Sequence, residues 1–156
     1  MAALQRAEDI AAELLARLAT VLTAGGFETD AGTTVFAGRS AKQIDRTNIP
    51  CTVLIEADDV PDRQSVGLDY QIEQRYVLMA FVPCDPDNPN EAAHKALRDL
   101  KRAVFLTDGK PDPRWGRRVK DVTYIGRDIA PRDDGEAFVL ALMEISVTYA
   151  ENLGNP

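Results

Sequence analysis

The stretch 66–82, VGLDYQIEQRYVLMAFV, contains the longest β-strand pattern in the chain. In its first half Leu68, Tyr70 and Ile72 alternate with polar residues, which is typical of a strand with one face in solvent. Its second half, Tyr76–Val82, is apolar at nearly every position and is predicted to lie in a sheet covered on both sides. One strand is therefore expected to run from a hairpin arm into a buried sheet.

An amphipathic helix is predicted on each side of this strand. The first spans about residues 5–24, where apolar residues recur at three- and four-residue steps, and ends at the glycine pair 25–26. The second begins at Asn88, which is a good N-cap residue before Pro89, and runs to Phe105. Both helices are expected to bury one apolar stripe against the sheet.

The rest of the chain predicts short strands joined by polar segments. Strands are expected at Thr33–Ala37, Cys51–Glu56, Val119–Ile125 and Ala137–Tyr149, with loops or turns at 38–49, 57–65, 83–91, 107–118 and 131–135. This order predicts an α+β fold, with a mixed or antiparallel sheet of about four to six strands and two helices packed on it. Residues 1–156 are expected to form a single domain, frayed at about 1–4 and 151–156.

The core is expected where the apolar stripes of these elements face each other. The residues predicted to be buried are Leu14, Leu18, Tyr76, Leu78, Leu97, Leu100, Leu140 and Leu142.

Composition indicates a soluble, acidic, intracellular type of protein. The chain has a net charge of −7, and such a surface repels duplex DNA. No apolar run approaches the length of about 18 residues that a membrane-spanning helix needs. Arg6 and Glu8 interrupt the segment where a signal peptide would be apolar, so Cys51 and Cys84 are expected to be reduced.

Catalytic, metal and cofactor sites are not predicted. His94 has no nucleophile or carboxylate placed beside it by the sequence, and one histidine with two dispersed cysteines does not give a zinc-ligand pattern. The acidic stretch Asp85–Glu91 lacks the glycine of a calcium loop, and no glycine-rich phosphate loop occurs. The carboxylate clusters 58–62 and 133–136 are interpreted as solvated turns, where aspartate is favoured.

The segment Arg114–Arg118 places Trp115 among three arginines. This composition is typical of a protein interface, in which tryptophan and arginine dominate the binding energy. It is also compatible with base stacking in a nucleic-acid site, or with a tryptophan that closes an edge of the core beneath solvated arginines. These three interpretations remain open.

The order of elements resembles the tail terminator, or tail completion, proteins of long-tailed bacteriophages and prophages. The likeness covers nearly the whole chain: an amphipathic helix, the strand Cys51–Glu56, the long strand Gln71–Val82, an alanine-rich helix starting at 92–97, and a closing strand ending Ile145–Tyr149. It implies a non-enzymatic structural protein of the virion, present in the host cytoplasm during assembly. Such a protein forms a homohexameric ring that ends tube polymerisation and supports head–tail joining.

The resemblance implies three kinds of partner: further copies of this chain, the tail tube protein and a head–tail connector. DNA would pass through without specific binding. The arm Val66–Glu73 and the polar loop Gly38–Asn48 are the expected contacts between copies. Candidate interface residues are Arg39, Arg46, Leu68, Tyr70, Arg114, Trp115, Arg117 and Arg118. Another connector or tube component, or a cytosolic small-ligand binding module, remains an alternative.

Overall fold

A computed structural model describes residues 2–62 and 66–156, and it has an α+β fold. The helices are α1 (Ala7–Leu18) and α2 (Pro89–Phe105). The strands are β1 (Val35–Ala37), β2 (Cys51–Pro61), β3 (Asp69–Pro83), β4 (Leu106–Thr107), β5 (Lys110–Pro111), β6 (Asp121–Ile129) and β7 (Phe138–Asn152). Short 3₁₀ turns occupy Thr23–Gly25, Ala41–Gln43 and Arg46–Asn48. The predicted fold class is confirmed.

Five strands form one sheet in the order β1-β2-β3-β7-β6. The edge strand β1 runs parallel to β2, and every other pair is antiparallel. The long β3–β7 pair keeps an unbroken register from Asp69 opposite Asn152 to Pro83 opposite Phe138. Strands β4 and β5 form a separate small hairpin directly after α2.

Both helices pack on the same face of the sheet and enclose the main core there. Six of the eight residues predicted to be buried lie in this core, on α1, α2 and β3. The other two, Leu140 and Leu142, are half-buried because they point to the opposite face of β7. Tyr76–Val82 itself is buried on both of its faces, as predicted, except that Val77 is half-buried.

The first helix is shorter than its apolar pattern indicates, because α1 ends at Leu18. The hydroxyl of Thr20 donates to the carbonyl of Arg17 at 2.6 Å, which terminates the helical pattern in a turn. Val21 is fully buried, but it does not belong to the helix, and Gly32 donates its N–H to the Val21 carbonyl. Val21 therefore occupies a core position that matches the helical spacing by coincidence.

Strand β2 is longer than predicted and extends to Pro61. Asp58 and Asp59 therefore lie in an exposed strand segment, not in a turn, with a register shift between Glu56 and Asp59. The bulge interrupts the alternation of apolar and polar residues, so the sequence pattern does not indicate that the strand continues. Residues 63–65 of the predicted turn lie outside the described residues.

A buried carboxylate fastens the loop after α1 onto α2. Asp99 is fully buried, and it accepts hydrogen bonds from the N–H groups of Glu28 and Thr29 and from the Thr29 hydroxyl at 2.7–3.0 Å. This bonding satisfies the carboxylate inside an otherwise apolar helix stripe.

In residues 2–62 and 66–156, no helix has both the length and the hydropathy needed to cross a membrane.

Candidate interaction surface

The sheet face opposite α1 and α2 is apolar at its centre, and neither of these two helices covers it. We call this surface the open face. Its side chains are Phe36, Cys51, Val53, Ile55, Val77, Met79, Phe81, Phe138, Leu140 and Leu142. The strand registers place them side by side: Val53 lies opposite Met79, and Met79 lies opposite Leu142. The open face is therefore one continuous apolar surface across four strands.

Only part of the open face is covered by other residues of the described chain. Ile44 and Ile49 of the segment before β2 pack on it, and Cys51, Val53, Met79 and Phe81 are buried as a result of this and of neighbouring side chains. Ile55, Val77, Phe138, Leu140 and Leu142 stay partly exposed along its margin. A surface of this kind is typical of an interface that is completed by another molecule.

Along β3 and β7, the open face changes from apolar to polar. Met79 and Leu142 give way to Val77 opposite Glu144, and then to Arg75 opposite Ser146. Ser146 is 1% exposed, and its hydroxyl has no hydrogen-bond partner among the described residues. The change from apolar to polar fixes the extent of the candidate surface along the strands.

The outer half of the β2–β3 hairpin corresponds to the predicted arm, with Ile72 3% exposed in the main core. We define the arm as the described residues 56–62 and 66–73, which carry six carboxylates and no lysine or arginine. Two of its apolar residues are unusually exposed, Val60 by 44% and Leu68 by 58%. Tyr70, by contrast, is half-buried and packs against the main core.

Trp115 does not lie on the surface. It is 1% exposed, its indole N–H donates to the Val104 carbonyl at 2.8 Å, and the Arg17 guanidinium lies 5.0 Å from the ring centroid. The predicted role of Trp115 as an exposed interface anchor is therefore wrong in this fold, because the ring closes an edge of the core. Of the three interpretations, the structure supports this one for the tryptophan itself.

The residues around Trp115 form an exposed basic turn, which we define as Arg114–Lys120. Arg117 and Lys120 are exposed and have no ion pair with any described residue, whereas Arg118 pairs with Glu13. The Arg114 Nε atom donates to the Lys120 carbonyl at 2.9 Å. The structure thus separates this segment into a buried ring and an outward cationic rim.

The two arginines of the polar loop already have partners within the chain. The Arg46 guanidinium pairs with Glu136 and lies 5.9 Å from the Phe138 ring centroid, although its side chain is 74% exposed. The Arg39 guanidinium lies 4.2 Å from the Phe36 ring centroid. Both therefore sit at the rim of the open face, where they are also placed to meet a second molecule.

Burial governs the titration of the groups in and around this surface. It raises the pKa of the Cys51 thiol to about 11, so this thiol is protonated at neutral pH. Burial also raises the pKa of the Tyr76 phenol, with a smaller contribution from the charge of Glu56. Neither group is a candidate nucleophile at neutral pH, because the thiolate and phenolate are the reactive forms.

The residues considered for catalysis or metal binding are not brought together. His94 lies exposed on the outer side of α2, while Cys51 is buried under the open face and Cys84 is half-buried before α2. Among residues 2–62 and 66–156, no group of three His, Cys, Asp or Glu side chains is arranged to hold a metal ion.

No protein-family model matches this chain, and no curated protein shows significant similarity to it.

The open face is the feature that the sequence reasoning missed. The signal was present, because Phe138–Met143 is apolar on both faces of its strand, like Tyr76–Val82. Two predicted helices are enough to cover one face of a five-stranded sheet. The apolar residues of the other face then need either a loop or another molecule to cover them.

Proposed function

We propose that this protein is a structural virion component that forms a homohexameric ring, caps the end of a bacteriophage tail tube and offers a surface for head–tail joining. The open face is the observation that carries the proposal. Its partly exposed apolar margin runs across the sheet, and burying it against another molecule would stabilise an assembly by removing apolar area from water.

The arrangement of elements supports the choice of this function among assembly proteins. A helix, the strand β2, the long strand β3, a second helix and the closing strand β7 follow one another in the order on which the resemblance to tail terminators rests. Contacts between different surfaces of identical copies close into a ring when the rotation between subunits divides a full turn. The tube protein and the connector would meet the two sides of such a ring.

The test measures self-association and tube capping together. We expect the protein to form rings visible by electron microscopy and to shorten tubes when added to polymerising tail tube protein. Leu140→Gln places an amide on the open face and is expected to weaken association about tenfold or more, in line with the loss of a buried apolar contact at an interface. Sedimentation velocity measures the association.

The matched control is Ile125→Gln, which changes an apolar side chain that is 44% exposed on the edge strand β6 and is not part of the apolar cluster of the open face. It should associate as the wild type does. Thermal unfolding of both variants checks that the monomer fold is kept. A wild-type protein that stays monomeric at all concentrations and leaves tube length unchanged would contradict the proposal, as would equal association of Leu140→Gln and wild type.

A further inference from the structure

Four cations lie close together in the basic turn, Arg114–Lys120, which has no carboxylate of its own. Asp112 and Asp121 flank the turn, but within the described chain neither forms an ion pair with it. Arg117 and Lys120 are exposed and also form no ion pair with any described residue. The turn thus presents positive charge to solvent on a chain whose net charge is −7.

A groove of about 310 Å³ lies beside the basic turn, between the N-terminal segment and the last residues of β7. Its lining residues in the described chain include no aspartate or glutamate. They combine cations with apolar groups: Arg114, Arg117, Arg118, Lys120, Leu4, Val119, Tyr149 and Ala150, together with Ala3 and Gln5. The groove therefore offers positive charge beside an apolar wall, and its volume, at the low end for ligand pockets, suits a short segment.

The backbone of the basic turn is fixed before any partner binds. Trp115, Gly116 and Arg117 have φ angles of 48°, 68° and 69°, a left-handed run that the surrounding contacts must impose on the two non-glycine residues. Asp112 accepts the Gly116 N–H at 2.9 Å, and the buried Trp115 ring fixes the middle of the turn. An ordered turn reduces the entropy that is lost when a ligand binds to its cations.

The arginines of the groove have donors that the described chain does not use. The Arg118 guanidinium pairs with Glu13, but its Nε has no hydrogen-bond partner among the described residues. The Arg114 Nε donates to the Lys120 carbonyl at 2.9 Å, which leaves the rest of that guanidinium available. Guanidinium groups bind the oxygens of carboxylates and phosphates in a planar, two-pronged geometry. The groove is therefore suited to an anionic ligand.

Negative charge at one end of the groove favours a short ligand over DNA. Glu151 follows Ala150 of the lining, and its carboxylate accepts the Tyr149 hydroxyl at 3.2 Å. The β3–β7 register places Glu151 opposite Tyr70, so the acidic arm of the same copy adjoins the groove at this end. A DNA duplex carries one charge about every 1.7 Å along its axis, and its phosphates would continue into these carboxylates.

The apolar wall favours a peptide as the short ligand. Leu4, Val119 and Tyr149 of the wall belong to the main core, so the wall is as firmly placed as the core itself. A phosphate backbone gains nothing from such a wall, whereas an apolar side chain is stabilised there by the removal of its surface from water.

We infer that this groove binds a short acidic segment of a different protein. Carboxylates of the segment pair with Arg114, Arg117 and Lys120, and an apolar side chain between them packs on the wall. None of the residues that line the groove belongs to the open face. The groove is therefore a second contact surface, and its ligand binding goes beyond the proposed function and does not depend on ring formation.

Fluorescence polarisation of short labelled peptides, with the full chain as the binding protein, tests the inference. The probe peptide has aspartates on both sides of one leucine, and we expect a Kd below about 0.2 mM at about 0.05 M NaCl. One comparison peptide has serine in place of the leucine, and another has asparagines in place of the aspartates. Each should bind at least about fivefold more weakly, because it loses one of the two kinds of contact.

A variant of the basic turn identifies the site. Arg117→Gln with Lys120→Gln removes two charges and keeps long polar side chains, and we expect it to bind the probe peptide at least about tenfold more weakly than wild type. The control variant, Lys110→Gln with Arg127→Gln, has the same net charge and changes two exposed cations that do not line the groove. It should bind as wild type does. Thermal unfolding checks that both variants keep the fold, and if the turn variant does not, the comparison of the three peptides on wild type decides.

The inference is overturned by a Kd for the probe peptide above about 0.2 mM, or by equal binding of the turn and control variants. It is also overturned if a short DNA duplex binds more tightly than the peptide and the turn variant loses it, since the basic turn then serves a nucleic acid. Inhibition of wild-type self-association by the peptide would make a second copy the occupant and overturn the assignment to a different protein. Rings that form without peptide binding overturn this inference alone, whereas a monomer that binds the peptide supports it and contradicts only the proposed function.

Discussion

Trp115 lies beneath the basic turn and supports it from within the core. Its ring is buried, and its N–H satisfies the Val104 carbonyl near the end of α2, where the helix has no further intrahelical donor to offer. The same residue has a left-handed backbone, with Gly116 and Arg117 following it in that region. One side chain thus joins the end of a helix to a strained turn that presents cations.

Replacing Trp115 with alanine is expected to lower the free energy of unfolding by about 3–5 kcal/mol, because it leaves a large cavity and an unpaired carbonyl. Urea denaturation measures the loss. Trp115→Phe, which keeps most of the volume but no N–H, should be affected less. Equal stability of wild type and Trp115→Ala would show that the ring does not close the core.

Cys51 predicts how stability depends on alkaline pH. Burial raises the pKa of its thiol from the ordinary value of 9.0 to about 11 in the folded chain. The unfolded chain therefore releases this proton first, and the contribution of the protonated thiol to stability, fully present below pH 9, falls away as the pH rises towards 11. Stability measured from pH 8 to 11 should fall less steeply in Cys51→Ala than in wild type.

Two parallel slopes in that comparison would mean that the Cys51 thiol titrates alike in the folded and unfolded chains. Tyr76 and Tyr149 also lose stability contributions at high pH, since burial raises the pKa of each phenol. They remain in both proteins, so the difference between the two slopes belongs to Cys51.

At the scale of the elements, the join between α1 and the sheet depends on a close approach of backbone to backbone. A side-chain carbon on Gly32 would lie 2.9 Å from both the N and O atoms of Val21, and it would contact the Leu18 carbonyl oxygen. Only glycine fits at this position, because backbone atoms cannot move aside as a flexible side chain does.

Gly32→Ala is therefore expected to destabilise the fold by about 1–3 kcal/mol through overpacking. Gly126→Ala is the control, since a carbon added there meets nothing within 4 Å and its backbone is not left-handed. Differential scanning calorimetry of the two variants distinguishes them. A Gly32→Ala protein as stable as Gly126→Ala would mean that the loop after α1 shifts at no cost.

At the scale of the whole molecule, stability should vary along β3. Tyr76–Val82 is buried between neighbouring strands, whereas Asp69–Gln71 at the start of β3 are exposed or half-buried. Their amides should exchange with deuterium through local opening, while those of Tyr76–Val82 exchange through global unfolding. Mass spectrometry of deuterated peptides measures this, and uniform protection along β3 would contradict it.

Much of the fold was predictable from the sequence because its signals are local. The alternation in 66–73 and the apolar run after it locate β3, and Asn88 with Pro89 marks the start of α2. The end of α1 was not predictable, since Val21 occupies a core position from outside the helix. The spacing of Val21 matches that of a helix, and only the tertiary structure shows that this residue lies outside α1.

The candidate surface was predictable in part. The arm was expected from its alternation, and the cationic segment around Trp115 was recognised from its composition. The burial of Trp115 was not determined by its neighbours in sequence, because the acceptor of its N–H is Val104 on a different element. The open face was missed because an apolar pattern on both sides of a strand does not say what covers each side.

The unbroken β3–β7 pairing has a mechanical consequence. Fifteen residues of each strand face each other without a register shift, and in antiparallel strands the hydrogen bonds lie across the strand direction. A pull on the arm along β3 therefore loads these hydrogen bonds in shear, so that many of them must break at once. A peeling force, by contrast, would break them one after another. Tension applied at the arm would reach the far end of the sheet before the strands slide apart.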